Sequence, residues 1–298
     1  MLYSHLTAAA KRRAFREALA GPDILRLPGA FNPLSAKLIQ DKGFDGVYVS
    51  GAVLSADLGL PDIGLTTLTE VAGRGQQIAR MTELPAIIDA DTGFGEPMNL
   101  ARTIQTLEDA GLAGTHIEDQ VNPKRCGHLD GKAVVDADTA VKRIRAAVDA
   151  RRDPNFLIMA RTDIRAVDGL DAAIDRAKAL VDAGADAIFA EAAYDLPTYD
   201  RFVKAVKVPV LANITEFGKT PLFTVEELKS VGVGMVLYPL SAFRAMNKAA
   251  EAVYTAIRRD GHQKNVVDLM QTRDELYDRI GYHEFESKLD ALFQKGKA

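Results

Sequence analysis

Two carboxylates two residues apart, Asp89 and Asp91, close the apolar run Pro85–Ala90 and are the first candidates for chemistry. Side chains two apart on a strand point the same way, so both carboxylates can face one point. Carboxylates held together repel unless a cation or a shared proton joins them. An all-oxygen site with room for water suits Mg²⁺, with Mn²⁺ as a substitute, better than Zn²⁺. Glu118 is a third acidic candidate, directly or through a water, and His116 is the one nearby nitrogen. The competing reading is that one aspartate merely caps the helix that begins near Glu96.

A second cluster follows the fourth apolar run: Lys124-Arg125-Cys126-Gly127-His128. Three basic or potentially basic side chains surround Cys126, the only cysteine of the chain. Positive neighbours lower a thiol pKa and make it a proton-transfer group or a nucleophile. Gly127 allows a substrate to approach the backbone closely. The plain alternative is a solvated basic loop with an incidental cysteine, but this cysteine lies in a polar loop and not in an apolar run. Cys126 and His128 are therefore catalytic candidates. Arg161, Arg244 and Arg273 suit two-point binding of carboxylates. No strand end carries a lysine placed for a Schiff base. Gly93-Phe94-Gly95 is only a fragment of a phosphate-binding loop.

These groups need a scaffold, and the chain alternates short β-branched runs with longer amphipathic stretches. The runs are Ile24–Pro28, Gly46–Ser50, Pro85–Ala90, Gly114–Glu118, Phe156–Arg161, Ala187–Glu191, Val208–Asn213 and Met235–Pro239. Continuous apolar runs suit parallel strands covered on both faces. Helical spacing marks Glu96–Ala110, Asp138–Val148 and Leu170–Val181 between them. Eight β-then-α units in this length predict an α/β fold, a (β/α)₈ TIM barrel. An open doubly wound sheet is the alternative, and the missing glycine-rich switch-point loop counts against it. Barrel enzymes build their sites at the C-terminal ends of the strands. Those ends read Tyr48 and Ser50, Asp89 and Asp91, Glu118 and Asp119, Arg161 and Asp163, Glu191, then Asn213 and Thr215. A single strand-end aspartate is more often a cap than a catalyst; convergence of five or six strands on one rim reverses that balance. Beyond the barrel, helices are expected at Arg244–Arg259, Asn265–Arg279 and Glu284–Phe293, in a C-terminal extension (245–298) that packs on a partner subunit or on the same chain.

Composition bounds the class. The chain has 298 residues, 47% of them hydrophobic and 26% charged, with a formal net charge of −4. That is a globular composition, and the charge argues against nucleic acid or an anionic membrane as partner. One cysteine allows no internal disulfide and suits a reducing cytoplasm. No apolar run reaches the roughly 20 residues that span a bilayer. One domain, with no internal repeat or linker, is the reading.

The joint occurrence of these motifs resembles the isocitrate lyase and phosphoenolpyruvate mutase superfamily. The signature is the Lys124–His128 loop, whose second-place Arg125 resembles the methylisocitrate lyases. Asp89-Ala90-Asp91-Thr92-Gly93-Phe94-Gly95, His116-Ile117-Glu118-Asp119-Gln120 and Asn213-Ile214-Thr215-Glu216-Phe217-Gly218 agree with it. Tyr238–Arg244 and Met270–Arg273 extend the resemblance almost to the C-terminus. It implies a barrel whose last helix is exchanged between subunits of a homotetramer, a dimer of dimers. It also implies Mg²⁺-dependent cleavage of 2-methylisocitrate to pyruvate and succinate, within propionate catabolism. Carried over by motif, Ser50, Gly51, Ala52, Cys126 and Gly127 touch substrate, and Asp89 and Asp91 hold the metal with Asp62 close by. Arg161, Glu191, Asn213, Thr215, Arg244 and Arg273 line the site. Two departures stand out: Ser50-Gly51-Ala52 replaces a Ser-Gly-Gly, and Leu129-Asp130-Gly131-Lys132 replaces an Arg-Pro-Asn-Lys.

The chemistry this implies is a retro-aldol cleavage. Tyr48 is the candidate base for the hydroxyl proton, the arginines and Asn213 stabilise the carbanion, and Cys126 returns a proton to carbon. Ile214 and Pro239-Leu240 are expected to give an apolar lining that rewards the substrate methyl. Isocitrate lyase and 2,3-dimethylmalate lyase are the rivals with the same chemistry. A barrel that binds carboxylates without catalysis is the distant one.

Overall fold

Eight short strands alternate with helices along the first 243 residues of the computed structural model, which describes residues 3–125, 127 and 131–295. The strands are β1 (Leu25–Pro28), β2 (Val47–Val49), β3 (Ala86–Asp89), β4 (Gly114–Glu118), β5 (Leu157–Thr162), β6 (Ala187–Ala190), β7 (Val210–Asn213) and β8 (Met235–Tyr238). All seven ladders are parallel, in the order β1-β8-β7-β6-β5-β4-β3-β2. The remaining seam, β1 to β2, is drawn together by one parallel bridge between Gly29 and Tyr48. This is the expected (β/α)₈ barrel, and each observed strand ends within one residue of its apolar run and starts within one, except β7, which starts two residues late.

Strand alternation divides the core into two layers. Leu25, Leu27, Ile87, Leu157, Met159, Phe189, Leu211, Met235 and Leu237 form one buried cluster, the barrel interior. Their sequence neighbours, such as Ile88, Ile158, Ile188 and Val236, pack in a separate cluster with the helices outside. Phe15, from the helix Ala8–Leu19, joins the interior cluster and is 1% exposed. Its burial is worth about 1.5–3 kcal/mol. The charged residues beside it are also buried. Lys11 Nζ donates to the carbonyls of Ala79 (2.8 Å) and Thr82 (2.5 Å), and Arg12 to those of Leu112 and Glu108. A buried cation without such acceptors would cost several kcal/mol.

The helices at Pro97–Asp109 and Ala137–Ala150 match the expected ones closely. The third is longer, Arg165–Asp182, and is kinked at Gly169, whose φ of 87° is not helical. The competing reading of an aspartate as helix cap does not hold: Glu96 occupies the N-cap of Pro97–Asp109, with no side-chain hydrogen bond.

Residues 244–298 form a second compact unit. The single helix expected at Asn265–Arg279 is in fact two pieces, a 3₁₀ turn (Lys264–Leu269) and the helix Arg273–Ile280. Thr272 starts the latter with a reciprocal cap to Glu275, a local preference that overrides the apolar spacing. Tyr254, Leu292 and Phe293 of this unit are exposed. No helix among the described residues is long and apolar enough to cross a membrane.

Candidate active site

The polar strand ends share the parity of the interior residues below them, so His116 and Glu118 of β4, Arg161 of β5 and Asn213 of β7 face inward, as do Tyr48, Asp89 and Glu191. The parallel register sets Asp89 beside His116, and Glu118 beside Arg161. Asp91 is different. It lies past the end of β3, with a left-handed φ of 47°, so strand alternation does not aim it. Its amide donates to Asp89 Oδ1 at 3.0 Å, and this turn brings the two carboxylates together.

The acidic residues gather in two places. In the first, Lys124 is the hub: its ammonium pairs with Asp91 Oδ1 at 2.8 Å and makes a short bond to Asp62. The lysine side chain is only 3% exposed, and the surrounding carboxylates Asp89, Asp91, Glu118 and Asp62 outweigh its burial to raise its pKa. Lys124 is thus committed to the carboxylates, in place of the role beside the thiol expected from its position in the sequence. Burial and the adjacent Asp89 push Asp91 up to about 6, against the pull of Lys124. Burial also works against the charge of Asp89, yet His116 when protonated, then Lys124 and Arg161, hold it down at about 2. His116, 3.7 Å away, is itself pushed down to about 4 by burial and is neutral at neutral pH. The cations acting on Asp89 there are Lys124 and Arg161.

In the second place, Arg161 is the hub. Its guanidinium binds Asp163 by two hydrogen bonds (2.9 and 3.2 Å), and it pairs with Glu118 at 3.2 Å and Glu191 at 3.6 Å. Burial pushes Glu118 well above the usual carboxylate range despite that arginine. Among the described residues, neither Glu118 oxygen has a hydrogen-bond donor. Behind them Asp119 accepts from Thr162 Oγ1, the Asp163 amide and Arg176, fixing the end of β5.

Tyr48 hydroxyl lies 2.8 Å from His116 Nε2, with the rings stacked 5.8 Å apart. Burial, aided by Asp89, raises the phenol well above its ordinary value, so it enters the site protonated. Ser50 caps the helix Gly51–Asp57, which also carries Ala52. At Gly51 any Cβ would sit 2.9 Å from Asp89 Oδ2, so only glycine lets that helix approach the carboxylate. At Gly127 a Cβ would meet Arg161 at 2.4 Å and Glu191 at 2.5 Å, so this backbone rests directly on the arginine hub.

The structure therefore brings together Asp62, Asp89 and Asp91 around Lys124, and Glu118, Glu191 and Gly127 around Arg161. Asn213 and Thr215 follow on β7 and just beyond it. Cys126 and His128 lie outside the described residues. Arg244 and Arg273 belong to the second unit, half-buried and exposed respectively. Ile214 packs in the outer cluster with the helices, so it does not line the barrel mouth as expected; it has the opposite parity to Asn213. Asp163 was visible as a strand-end acid of the same parity as Arg161, but Lys132, which also reaches it, gave no periodic signal.

The donor set fits an oxygen-preferring divalent ion. Three carboxyl groups face one ammonium, which reaches Asp91 and Asp62 and leaves an excess of negative charge in the cluster. Among the described residues no three His, Asp or Glu side chains stand close enough to hold a metal by themselves. A divalent ion held there would take water or substrate oxygens as its remaining ligands.

Comparison with known proteins gives the same picture. Residues 15–258 match the family model of phosphoenolpyruvate phosphomutase. The 2-methylisocitrate lyase of Salmonella typhimurium is 56% identical over 96% of this chain and 98% of its own. A crystal structure of 2,3-dimethylmalate lyase superposes with a TM-score of 0.86 at 35% identity, covering 97% and 96% of the two chains. That of phosphonopyruvate hydrolase in complex with oxalate and Mg²⁺ gives 0.84 at 31%, covering 95% and 98%. The chain belongs to the phosphoenolpyruvate phosphomutase family, within the PEP mutase/isocitrate lyase superfamily, and is one of its carbon–carbon lyases.

Proposed function

We propose that this enzyme cleaves 2-methylisocitrate to pyruvate and succinate with Mg²⁺, for which Mn²⁺ can substitute, in propionate catabolism. The observation that carries the reading is the pairing of an acid-rich cluster with an arginine hub at one rim, in a chain 56% identical to a 2-methylisocitrate lyase. Asp89 and Asp91 would hold the metal, with Asp62 in the same cluster and Glu118 outside the direct set. When bound, the ion polarises the oxygens of the part that becomes pyruvate.

The residues divide the remaining work. Arg161 binds a substrate carboxylate, and Asn213 and Thr215 complete the polar lining. Ser50, Gly51 and Ala52 supply a backbone surface against the pyruvate end. The C2 hydroxyl proton passes to the Tyr48 oxygen while the phenol proton passes to His116 Nε2, 2.8 Å away. A neutral His116 has the lone pair to receive it, and Asp89 at 3.7 Å stabilises the resulting cation. The C2–C3 bond then breaks, its electron pair moves to C3, and C2 becomes the pyruvate carbonyl. Cys126 protonates C3 to give succinate, with His128 beside it in sequence. A bound tricarboxylate raises the thiol pKa, so binding keeps that proton in place.

A pyruvate-release assay on three substrates tests the assignment. One methyl is worth about 1–3 kcal/mol of discrimination, so kcat/KM should favour 2-methylisocitrate over isocitrate by at least roughly tenfold. A ratio near one, or a higher rate with 2,3-dimethylmalate, would reassign the substrate and leave the metal site untouched. The exposed apolar side chains of residues 244–298 support the homotetramer, and light scattering would give its mass. A single cysteine supports a cytoplasmic location.

A further inference from the structure

Lys132 lies beyond the signature loop and has no role in the chemistry above, yet its side chain is only 2% exposed. Its ammonium makes two bonds. One goes to Asp163 Oδ1 at 2.8 Å, and the other to the backbone carbonyl of Gly127 at 2.5 Å. Asp163, whose side chain is wholly buried, uses both its oxygens on Arg161 as well. Gly127 closes the figure, because its backbone rests on Arg161 and Glu191 with no space for a Cβ. The four groups form a ring: Gly127 carbonyl, Lys132, Asp163, Arg161, and back to Gly127.

We propose that Lys132 is a positioning residue that fixes the Gly127 backbone, next in sequence to Cys126, relative to the Arg161 guanidinium. The physical reason is the geometry of a proton transfer to carbon. The donor must stand at a defined distance from a substrate whose carboxylate is held by the arginine, and small misplacements are costly. Loop residues have no ladder to fix them, so a carbonyl anchored by a buried ammonium replaces the missing strand partner. Asp163 serves both ends: the carboxylate that orients the arginine also orients the lysine. Losing Lys132 leaves Asp163 its two bonds to Arg161, so substrate binding survives and the relative placement of the loop is lost. The kinetic part of this inference rests on the lyase reading; the geometry does not.

The test compares full-length Lys132→Met and Lys132→Arg with the unaltered enzyme in two measurements. The first is alkylation of Cys126 by iodoacetamide without substrate, as the limiting rate at high pH so that the lost charge on residue 132 does not enter. Because the chain has no other cysteine, the rate reports on this position alone. Lys132→Met should react roughly fivefold faster or more. The second is turnover of 2-methylisocitrate, where kcat should fall by about 10- to 100-fold with KM nearly unchanged. Lys132→Arg, which keeps a buried donor, should recover much of both. Alkylation and kcat within about twofold of the unaltered enzyme in Lys132→Met would overturn the proposal. So would an arginine variant as impaired as the methionine one. Should the methionine variant fail to fold, Lys132→Gln under the same alkylation test decides. If the unaltered enzyme does not turn over 2-methylisocitrate, the lyase reading falls while the alkylation comparison still stands.

Discussion

The two halves of the barrel mouth use the same residue types to opposite ends. Around Lys124, three aspartates face a single ammonium, and burial, followed by the adjacent Asp89, pushes Asp91 up to about 6. Around Arg161, three carboxyl groups face two cations, Arg161 and Lys132, and burial drives Glu118 toward its neutral acid. The first cluster is short of positive charge and the second is close to balance. A divalent cation completes the first; an anionic ligand can enter beside the second without meeting a net negative wall. Counting acids alone would make the two clusters equivalent. What separates them is the number of buried cations and the protonation state of one glutamate.

The largest effect should come from the cation-poor side. Asp91→Asn removes a charge that the metal needs while keeping the side-chain shape, so activity at ordinary Mg²⁺ should fall by roughly 10³-fold. Calorimetry should show weak or no metal binding in the same variant. Retention of wild-type metal affinity would dissolve the contrast between the clusters. On the other side, Arg161→Lys keeps the charge but loses the planar fork that meets Asp163 at two points. Losing a buried two-point contact costs about 2–5 kcal/mol, which predicts a fall in kcat/KM of at least about 30-fold with metal affinity unchanged.

The contrast was only partly legible in the sequence. The strands were legible because a parallel barrel strand is apolar on both faces and writes a continuous run. The inward residues followed from parity, which is why Asp89, Glu118 and Arg161 were read correctly as rim residues. Parity fails where the strand ends. Asp91 reaches its partner through a left-handed turn, and Lys124, on an irregular segment, turns to Asp62 and Asp91. The sequence showed a basic residue beside a thiol and could not show which way it points. Phe15, Lys11 and Arg12 carry no sequence signal of their burial, because a charged amphipathic helix reads as surface until the carbonyls that accept its cations are known. Ile214 is the reverse case, since parity from Asn213 already placed it outside the barrel, but the motif resemblance drew it into the site.

A smaller effect sharpens the first cluster. At Gly51 an added methyl would stand 2.9 Å from Asp89 Oδ2, so Gly51→Ala must displace either the helix or the carboxylate. Changes that disturb a ligand without removing it typically cost about 10- to 100-fold in metal affinity. The predicted signature is an apparent Mg²⁺ constant raised by that amount, with activity restored at saturating metal. An unchanged metal constant would mean that Asp89 is not held where the metal binds.

The smallest effect is the one that divides the two clusters most sharply, and it concerns Glu118. Burial, the largest cause, raises its pKa well above the ordinary 4.5, so folding favours the uncharged acid. Glutamine has nearly the same shape as that acid, and Glu118→Gln should therefore change kcat/KM by less than about threefold. The sign of its pH effect follows from linkage. Below about pH 4.5 the glutamate is protonated in both folded and unfolded chains, and the two proteins should melt alike. As pH rises above that value the unfolded chain releases the proton while the folded one retains it, so the unaltered protein loses stability that the glutamine variant keeps. Melting of metal-free protein at several pH values should show the variant gaining on the unaltered chain with increasing pH. A large drop in metal affinity in Glu118→Gln would place an ionised Glu118 among the metal ligands. It would also merge the two clusters into one, because the charge assigned to the arginine side would then belong to the cation.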